Sequence, residues 1–202
     1  NEGYWGINAV KGRKYILSFW AKADGYKGTI CASLQNKAGT ATYATAKVAG
    51  KLKGGWRKYT AEFCSDTDDA QARLVLSMER PGIVYLDLVS LFPPTFKDRE
   101  NGCRPELAQL LADMKPRFMR FPGGCFVEGE VIGGKLEQFK WKKSIGPIEE
   151  RSSHVNVWRY PVSNGLGYHE FLQLAEDLGS TPMYVTNVGV WHGGFAPHDS
   201  IE

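Results

Sequence analysis

No long apolar run occurs in this chain. No stretch of its 202 residues approaches the ~20 apolar residues that a membrane helix needs. The opening Asn1-Glu-Gly-Tyr-Trp-Gly6 has no basic region followed by an apolar core, and it has no initiating Met, so the natural N-terminus is expected to lie upstream. Cysteine is scarce: Cys31, Cys64, Cys103 and Cys125 stand far apart, without a C-x-x-C pair, which argues against a zinc site and outlines no disulfide framework. The four histidines, His154, His169, His192 and His198, form no H-E-x-x-H or other tight metal spacing. Net charge is only +3, with Lys and Arg dispersed, so neither a nucleic acid nor a membrane surface is an expected partner. A Walker-type phosphate loop is missing too, which removes a nucleotide-binding domain from the candidates. We expect no metal and no cofactor.

What is present divides at Pro93-Pro94. Before it, short β-like runs follow one another: Lys14 to Ala23, Thr29 to Leu34, Thr42 to Val48, Trp56 to Cys64, Arg73 to Met78 and Ile83 to Phe92. Turn residues separate them, as in Asp24-Gly25, Lys37-Ala-Gly39, Lys53-Gly-Gly55 and Arg80-Pro-Gly82. Such a series with almost no helical periodicity predicts a β-sandwich or jelly roll. The first run is apolar on both faces. Tyr4, Trp5, Trp20, Tyr26, Tyr43 and Trp56 are candidate sugar-stacking rings, although sandwich strands bury most of their aromatics in the core.

After the two prolines the period changes. Leu107, Leu110, Leu111 and Met114 form one helical stripe, with Pro105 in the first turn and Pro116 just past the end. Phe118 to Phe121 then reads as a buried strand stopped by Pro122, and Gly123-Gly124-Cys125 follows as a tight loop. A second helix spans about Tyr168 to Leu178, with Gly179 past its end, and Met183 to Thr186 reads as a second buried strand. Helix, strand, helix, strand predicts an α/β sheet whose ligands sit at the carboxyl ends of the strands. Between them runs a long loop, Cys125 to Gly167, holding Trp141, Trp158, Arg151, Arg159 and Tyr160. That set suits covering a sugar, and suits equally a lid packed on the rim.

Hydrolysis of a glycoside needs two carboxylates at a set separation. This half offers Glu128, Glu130, Glu137, Glu149, Glu150, Glu170 and Glu176, but nothing in their placement makes two of them a pair, and none is assigned a catalytic role. Cys125 as a nucleophile would need a base or a positive environment, and no local signature supplies one.

The pieces Gly55-Trp-Arg-Lys-Tyr-Thr-Ala-Glu-Phe63 and Tyr85-Leu-Asp-Leu-Val-Ser-Leu-Phe-Pro93 resemble late strands of the carbohydrate-binding jelly rolls attached to glycosidases. The second half resembles the early catalytic barrel of glycoside hydrolase family 51, the α-L-arabinofuranosidases, in the plant and gut-bacterial form with an N-terminal jelly roll. The motifs are Lys97-Asp-Arg-Glu-Asn-Gly-Cys-Arg-Pro-Glu-Leu107, Lys115-Pro-Arg-Phe-Met-Arg-Phe-Pro-Gly-Gly-Cys-Phe-Val-Glu-Gly129, Asn164-Gly-Leu-Gly-Tyr-His-Glu-Phe171 and Pro182-Met-Tyr-Val-Thr-Asn-Val-Gly189, in the family's order.

The resemblance implies a β-sandwich over residues 1–93, then over residues 94–202 the first part of a (β/α)8 TIM barrel, incomplete at both ends. It implies retaining hydrolysis of terminal α-L-arabinofuranosyl groups on arabinan- or arabinoxylan-type plant polysaccharides, and it favours a secreted or periplasmic protein. In the family the residue after the two glycines touches arabinose, which maps onto Cys125 beside Gly124, and a Trp six residues before the Asn of Asn-x-x-Gly maps onto Trp158. The family's acid/base glutamate, in an Asn-Glu pair after the fourth strand, and its nucleophile on a later strand have no counterpart here. The isolated chain is therefore expected to be inactive, its catalytic residues lying elsewhere in the full-length enzyme. The competing reading is a non-catalytic carbohydrate-binding protein.

Overall fold

The computed structural model describes residues 5–49, 52 and 54–195, which fall into two compact units, Asn1–Pro94 and Thr95–Glu202. Tyr4 and His198 lie outside the described residues.

The first unit contains β1 (Ile7–Ala9), β2 (Lys14–Ala23), β3 (Ile30–Gln35), β4 (Thr42–Ala49), β5 (Arg57–Cys64), β6 (Asp69–Met78) and β7 (Val84–Phe92). They form two antiparallel sheets, β1-β6-β3-β4 and β5-β2-β7, and the chain passes from one to the other at most connections. This is the β-sandwich that the strand series predicted. Its core is the period-2 pattern made solid: Tyr15, Leu17, Phe19, Ala21 and Ala23 of β2 point inward and meet Ile30, Ala32 and Leu34 of β3, Phe63 of β5 and Leu74 of β6. Leu17 and Phe19 are wholly buried, each worth ~1.5–3 kcal/mol of apolar burial.

The alternate face of β2 is a different matter. Its apolar residues suggested burial on both sides, yet Ile16 is exposed and Trp20 half-buried, because a sandwich sheet has only one partner sheet. β6 also starts four residues before the expected Arg73, at Asp69, where the Asp69 carboxylate accepts a hydrogen bond from the Tyr43 hydroxyl at 2.8 Å.

The second unit contains α1 (Pro105–Asp113), β8 (Phe118–Phe121), α2 (Cys125–Glu128), the hairpin of β9 (Glu130–Ile132) and β10 (Lys135–Glu137), and the short ladder of β11 (His154–Val155) and β12 (Pro161–Val162). α3 (Tyr168–Leu178), β13 (Thr181–Tyr184) and a final ladder of β14 (Val190–Trp191) and β15 (Gly194–Phe195) complete it. β8 and β13 pair in parallel, with Phe118 opposite Thr181 and Phe121 opposite Tyr184. α3 lies in the connection between them, as a parallel pair requires.

β13 begins two residues before the expected Met183 and includes Pro182. Thr181 N–H donates to Arg117 and Val185 N–H to Phe121, so the N–H that proline lacks falls on the side away from β8. Pro182 therefore costs the ladder nothing. α3 ends as its glycine predicted, with Gly179 left-handed at φ 66°.

Aromatic packing holds these elements together: Phe121 stacks on Phe171 at 4.6 Å and meets Tyr184 edge-on, while Tyr184 also meets Tyr168 at 4.6 Å. The stripe on α1 behaves differently. Leu107, Leu110, Leu111 and Met114 are all exposed and only Ala108 of this helix is buried, because the two-stranded sheet is too narrow to cover a full helical face. Nor do two parallel strands close a barrel.

Candidate functional site

At the carboxyl end of β8 the chain turns through a cis Phe121–Pro122 bond and two glycines into α2. Gly124 takes φ 51°, ψ −137°, a conformation that disfavours any residue with a Cβ, and a Cβ built there would meet nothing within 4 Å. That side of the loop is open space. At Gly123 a side chain would instead run into the Arg120 guanidinium, so Arg120 reaches along its strand to the loop. Cys125, the first residue of α2, is exposed and carries a free thiol.

The loop is held from beneath by Asn187, in the segment after β13. Its amide Nδ2 donates to the carbonyls of Val127 (2.9 Å) and Val190 (2.7 Å), while Oδ1 accepts from the N–H groups of Gly189 (2.6 Å) and Val190 (3.1 Å). One buried side chain thus ties together the two strand-end loops. The Asn-x-Gly spacing at 187–189 is the turn signal that sequence reasoning left without a role. Gly129, which ends α2, is fixed twice over: φ is 74°, and a Cβ would stand 2.3 Å from the Glu137 carbonyl oxygen.

Trp158 stands on the loop joining β11 to β12. Asn156, buried, organises that loop by accepting hydrogen bonds on Oδ1 from the N–H groups of Trp158 (3.0 Å) and Tyr160 (3.3 Å). The Trp158 and Tyr160 rings lie nearly parallel, with centroids 6.1 Å apart, and both are exposed. Arg159 Nη2 reaches Glu130 Oε2 at 3.3 Å, and the His154 ring packs on Phe126 at 5.9 Å, so this ladder is fastened to the segment that begins at Cys125. Gly124 and Cys125 are thus neighbours at one strand end, with Trp158 on a separate loop tied to the same segment.

The rest of the expected lid set divides. Arg151 is no sugar-facing cation: its side chain is 5% exposed and Glu170's is 6%, and they form a bidentate pair with both bonds at 2.9 Å. Arg151 also donates to the carbonyls of Gly146, Asn164 and Gly165. Burial alone would raise the Glu170 pKa. The hydrogen bonds from Arg151 and the Gly167 N–H, with the Arg151 charge, outweigh it and hold the carboxyl below its ordinary value. This pair anchors the long loop to the start of α3. Trp141 packs on Tyr168 at 5.3 Å and belongs to the same anchoring.

Four of the other candidate carboxylates have partners as well. Glu128 meets His192 at 3.4 Å, Glu130 meets Arg159, Glu137 meets Lys135 at 2.8 Å and Glu176 meets Arg99 at 3.2 Å. Among the described residues no group of three His, Cys, Asp or Glu is placed to hold a metal ion.

In the first unit, Tyr26 is core, its hydroxyl bonded to the Thr29 carbonyl, and Tyr43 is half-buried. Trp56 is exposed. Lys22 Nζ lies 5.0 Å from the ring centroids of both Trp56 and Tyr85, making a cation–aromatic row across the outer face of the β5-β2-β7 sheet. Tyr85 was missed as a candidate because its strand was read only as a closing element.

Comparison with known proteins agrees with both units. Residues 5–82 match the family model of a carbohydrate binding domain, and residues 110–201 match that of the alpha-L-arabinofuranosidase 1 domain. Alpha-L-arabinofuranosidase 1 of Arabidopsis thaliana is 39% identical over the whole chain, which covers 29% of that relative. The extracellular exo-alpha-L-arabinofuranosidase of Streptomyces chartreusis is 38% identical over 92% of the chain, covering 23% of the relative. Among solved structures, the arabinose-bound MgGH51 α-L-arabinofuranosidase superposes with a TM-score of 0.87 at 30% identity, over 98% of this chain and 33% of that one. The chain thus spans about a third or less of the length of the relatives it matches. The chain is similar over its length to α-L-arabinofuranosidases, with one stretch matching a carbohydrate binding domain and another matching the alpha-L-arabinofuranosidase 1 domain.

Proposed function

We propose that the protein of which this chain is a segment removes terminal α-L-arabinofuranosyl groups from the non-reducing ends of arabinan- and arabinoxylan-type plant polysaccharides, with retention of configuration. In this reading the segment supplies the substrate side of the pocket. Gly124 leaves room for the sugar, Cys125 contacts it with a free thiol, and the exposed Trp158 ring covers it from the long loop. Stacking suits such a ring because one face of a furanose is largely C–H. The acid/base and nucleophile carboxylates, ~5–5.5 Å apart in a retaining enzyme, come from parts of the full-length protein outside this chain. Secretion follows from the substrate, since cell-wall polymers are met outside the cell. No helix among the described residues is long and apolar enough to cross a membrane.

The observation that carries this reading is the open glycine loop at the carboxyl edge of a parallel strand pair, where α/β enzymes bind their ligands. Hydrolysis of an aryl α-L-arabinofuranoside tests it. The 202-residue chain alone should release no phenol above the uncatalysed rate. The full-length protein should turn over, and Trp158→Ala should lower its kcat/KM about tenfold or more, ~1.4 kcal/mol. Turnover by the isolated chain, or an unchanged kcat/KM in Trp158→Ala, would defeat the assignment.

A second reading, carbohydrate binding by the sandwich itself, is favoured by the exposed row of Trp56, Lys22 and Tyr85. It predicts that the Trp56→Ala/Tyr85→Ala pair weakens retention on insoluble arabinoxylan and leaves aryl-arabinofuranoside hydrolysis unchanged.

A further inference from the structure

The long loop carries a second exposed ring beside Trp158. Tyr160 is 51% exposed and Trp158 55%, and their planes lie within 15° of each other with centroids 6.1 Å apart. At that distance parallel rings are displaced sideways rather than superposed. Each therefore keeps part of a face open, and together they make an aromatic surface longer than one ring. A single exposed aromatic is ordinary on a protein surface. This pair differs in how firmly it is held.

The turn beneath it closes on Asn156, which is 3% exposed. Besides the two bonds to its Oδ1, its backbone N–H donates to the Tyr160 carbonyl at 3.1 Å, and its carbonyl accepts from the Arg159 N–H at 2.9 Å. Tyr160 is thus fixed at both its N–H and its C=O. Arg159, between the rings, takes the left-handed φ of 67°, and its guanidinium reaches Glu130 at 3.3 Å. Rings whose backbone is already fixed lose little freedom when a ligand stacks on them.

The chemistry of the surface selects its ligand. Both rings are uncharged, and the cation between them is turned to Glu130. Such a surface suits an uncharged sugar with a face of C–H bonds. Xylopyranose has one on each side, because its hydroxyls are equatorial and its axial bonds are all C–H.

We infer that Tyr160 stacks on the neutral pentose to which the terminal arabinose is attached, a xylopyranose of a xylan backbone, and so sets the preference for polymer-linked arabinose over simple arabinosides. The inference rests on the reading that Trp158 covers the arabinose: the neighbouring ring on the same surface then meets the sugar one glycosidic bond away. The face of Tyr160, rather than its hydroxyl, makes the contact.

The test uses the full-length protein and two substrates, methyl α-L-arabinofuranoside, which has no second ring, and xylotriose bearing one terminal α-L-arabinofuranosyl group, with released arabinose measured for each. Tyr160→Ala should lower kcat/KM on the branched oligosaccharide about tenfold, ~1.4 kcal/mol, and on the methyl glycoside less than about twofold. Tyr160→Phe should stay within about twofold of wild type on both. An equal fall on both substrates would overturn the proposal, since Tyr160 would then only prop the Trp158 ring. An unchanged kcat/KM on the oligosaccharide in Tyr160→Ala, or a Tyr160→Phe variant as impaired as Tyr160→Ala, would overturn it too. Wild-type protein that hydrolyses neither substrate would instead refute the arabinofuranosidase reading itself.

Discussion

Arg151→Met should damage the second unit far more than any surface substitution. The change keeps much of the side-chain volume and removes the guanidinium, whose bonds reach the Glu170 carboxylate and the carbonyls of Gly146, Asn164 and Gly165. What remains is a carboxylate 6% exposed, with the Gly167 N–H still bonded to it but its counter-charge gone. Stripping one partner from a buried pair costs ~3–5 kcal/mol, because the abandoned charge keeps its desolvation penalty. Against a typical domain stability of ~5–15 kcal/mol that is about a fifth or more of the total. The melting temperature of this unit should fall by at least about 10 °C. Urea unfolding with hydrogen-exchange mass spectrometry separates the effect from the sandwich: exchange should rise in the segment 145–178 and stay unchanged in β2 and β3. Arg151→Met/Glu170→Met should be milder than Arg151→Met alone, since it leaves no orphaned charge. A loss under ~1 kcal/mol in the single variant, or a double variant as damaged as the sum of the singles, would refute the claim that this pair anchors the long loop.

The same pair sets a pH dependence. Its depressed carboxyl pKa contributes stability that is fully present above the unfolded value of ~4.3 and is lost as pH falls through the lower folded value. Wild-type protein should therefore lose stability below about pH 4.3 more steeply than Glu170→Gln in urea melts at a series of pH values; parallel slopes would count against it. Gly129→Ala should cost ~1–3 kcal/mol, because it combines left-handed backbone with a Cβ placed 2.3 Å from the Glu137 carbonyl. Gly134→Ala, also at positive φ but with nothing near its Cβ, should cost less, and equal melting curves for the two would remove the close-approach argument.

Much of this architecture is legible in the chain itself. The alternation in Lys14–Ala23, the helical stripe closed by Gly179 and the Pro122 stop after Phe121 are local signals whose physics needs no distant partner. What sequence could not supply depends on which face a neighbour covers. β2 is apolar on both sides, and only the second sheet determines that Tyr15, Leu17 and Phe19 are the ones buried. Arg151 looks like a surface cation until Glu170, nineteen residues later, folds against it. Pro182 argues against a strand until its missing N–H is found to face away from β8. Of the candidate site, the loop at Gly124 and Cys125 was readable from its glycines. The Asn187 clasp beneath it was readable only as a local turn, because the partner that makes it a clasp is the Val127 carbonyl, sixty residues away.

The central claim is that Cys125 faces the arabinose site. The direct measurement is the rate of iodoacetamide alkylation at Cys125 in the full-length protein with and without L-arabinose, with Cys64, also exposed, as internal control. At ten times its Kd, arabinose should slow Cys125 labelling about tenfold and leave Cys64 unchanged. Equal protection of both thiols, or of neither, would contradict the account.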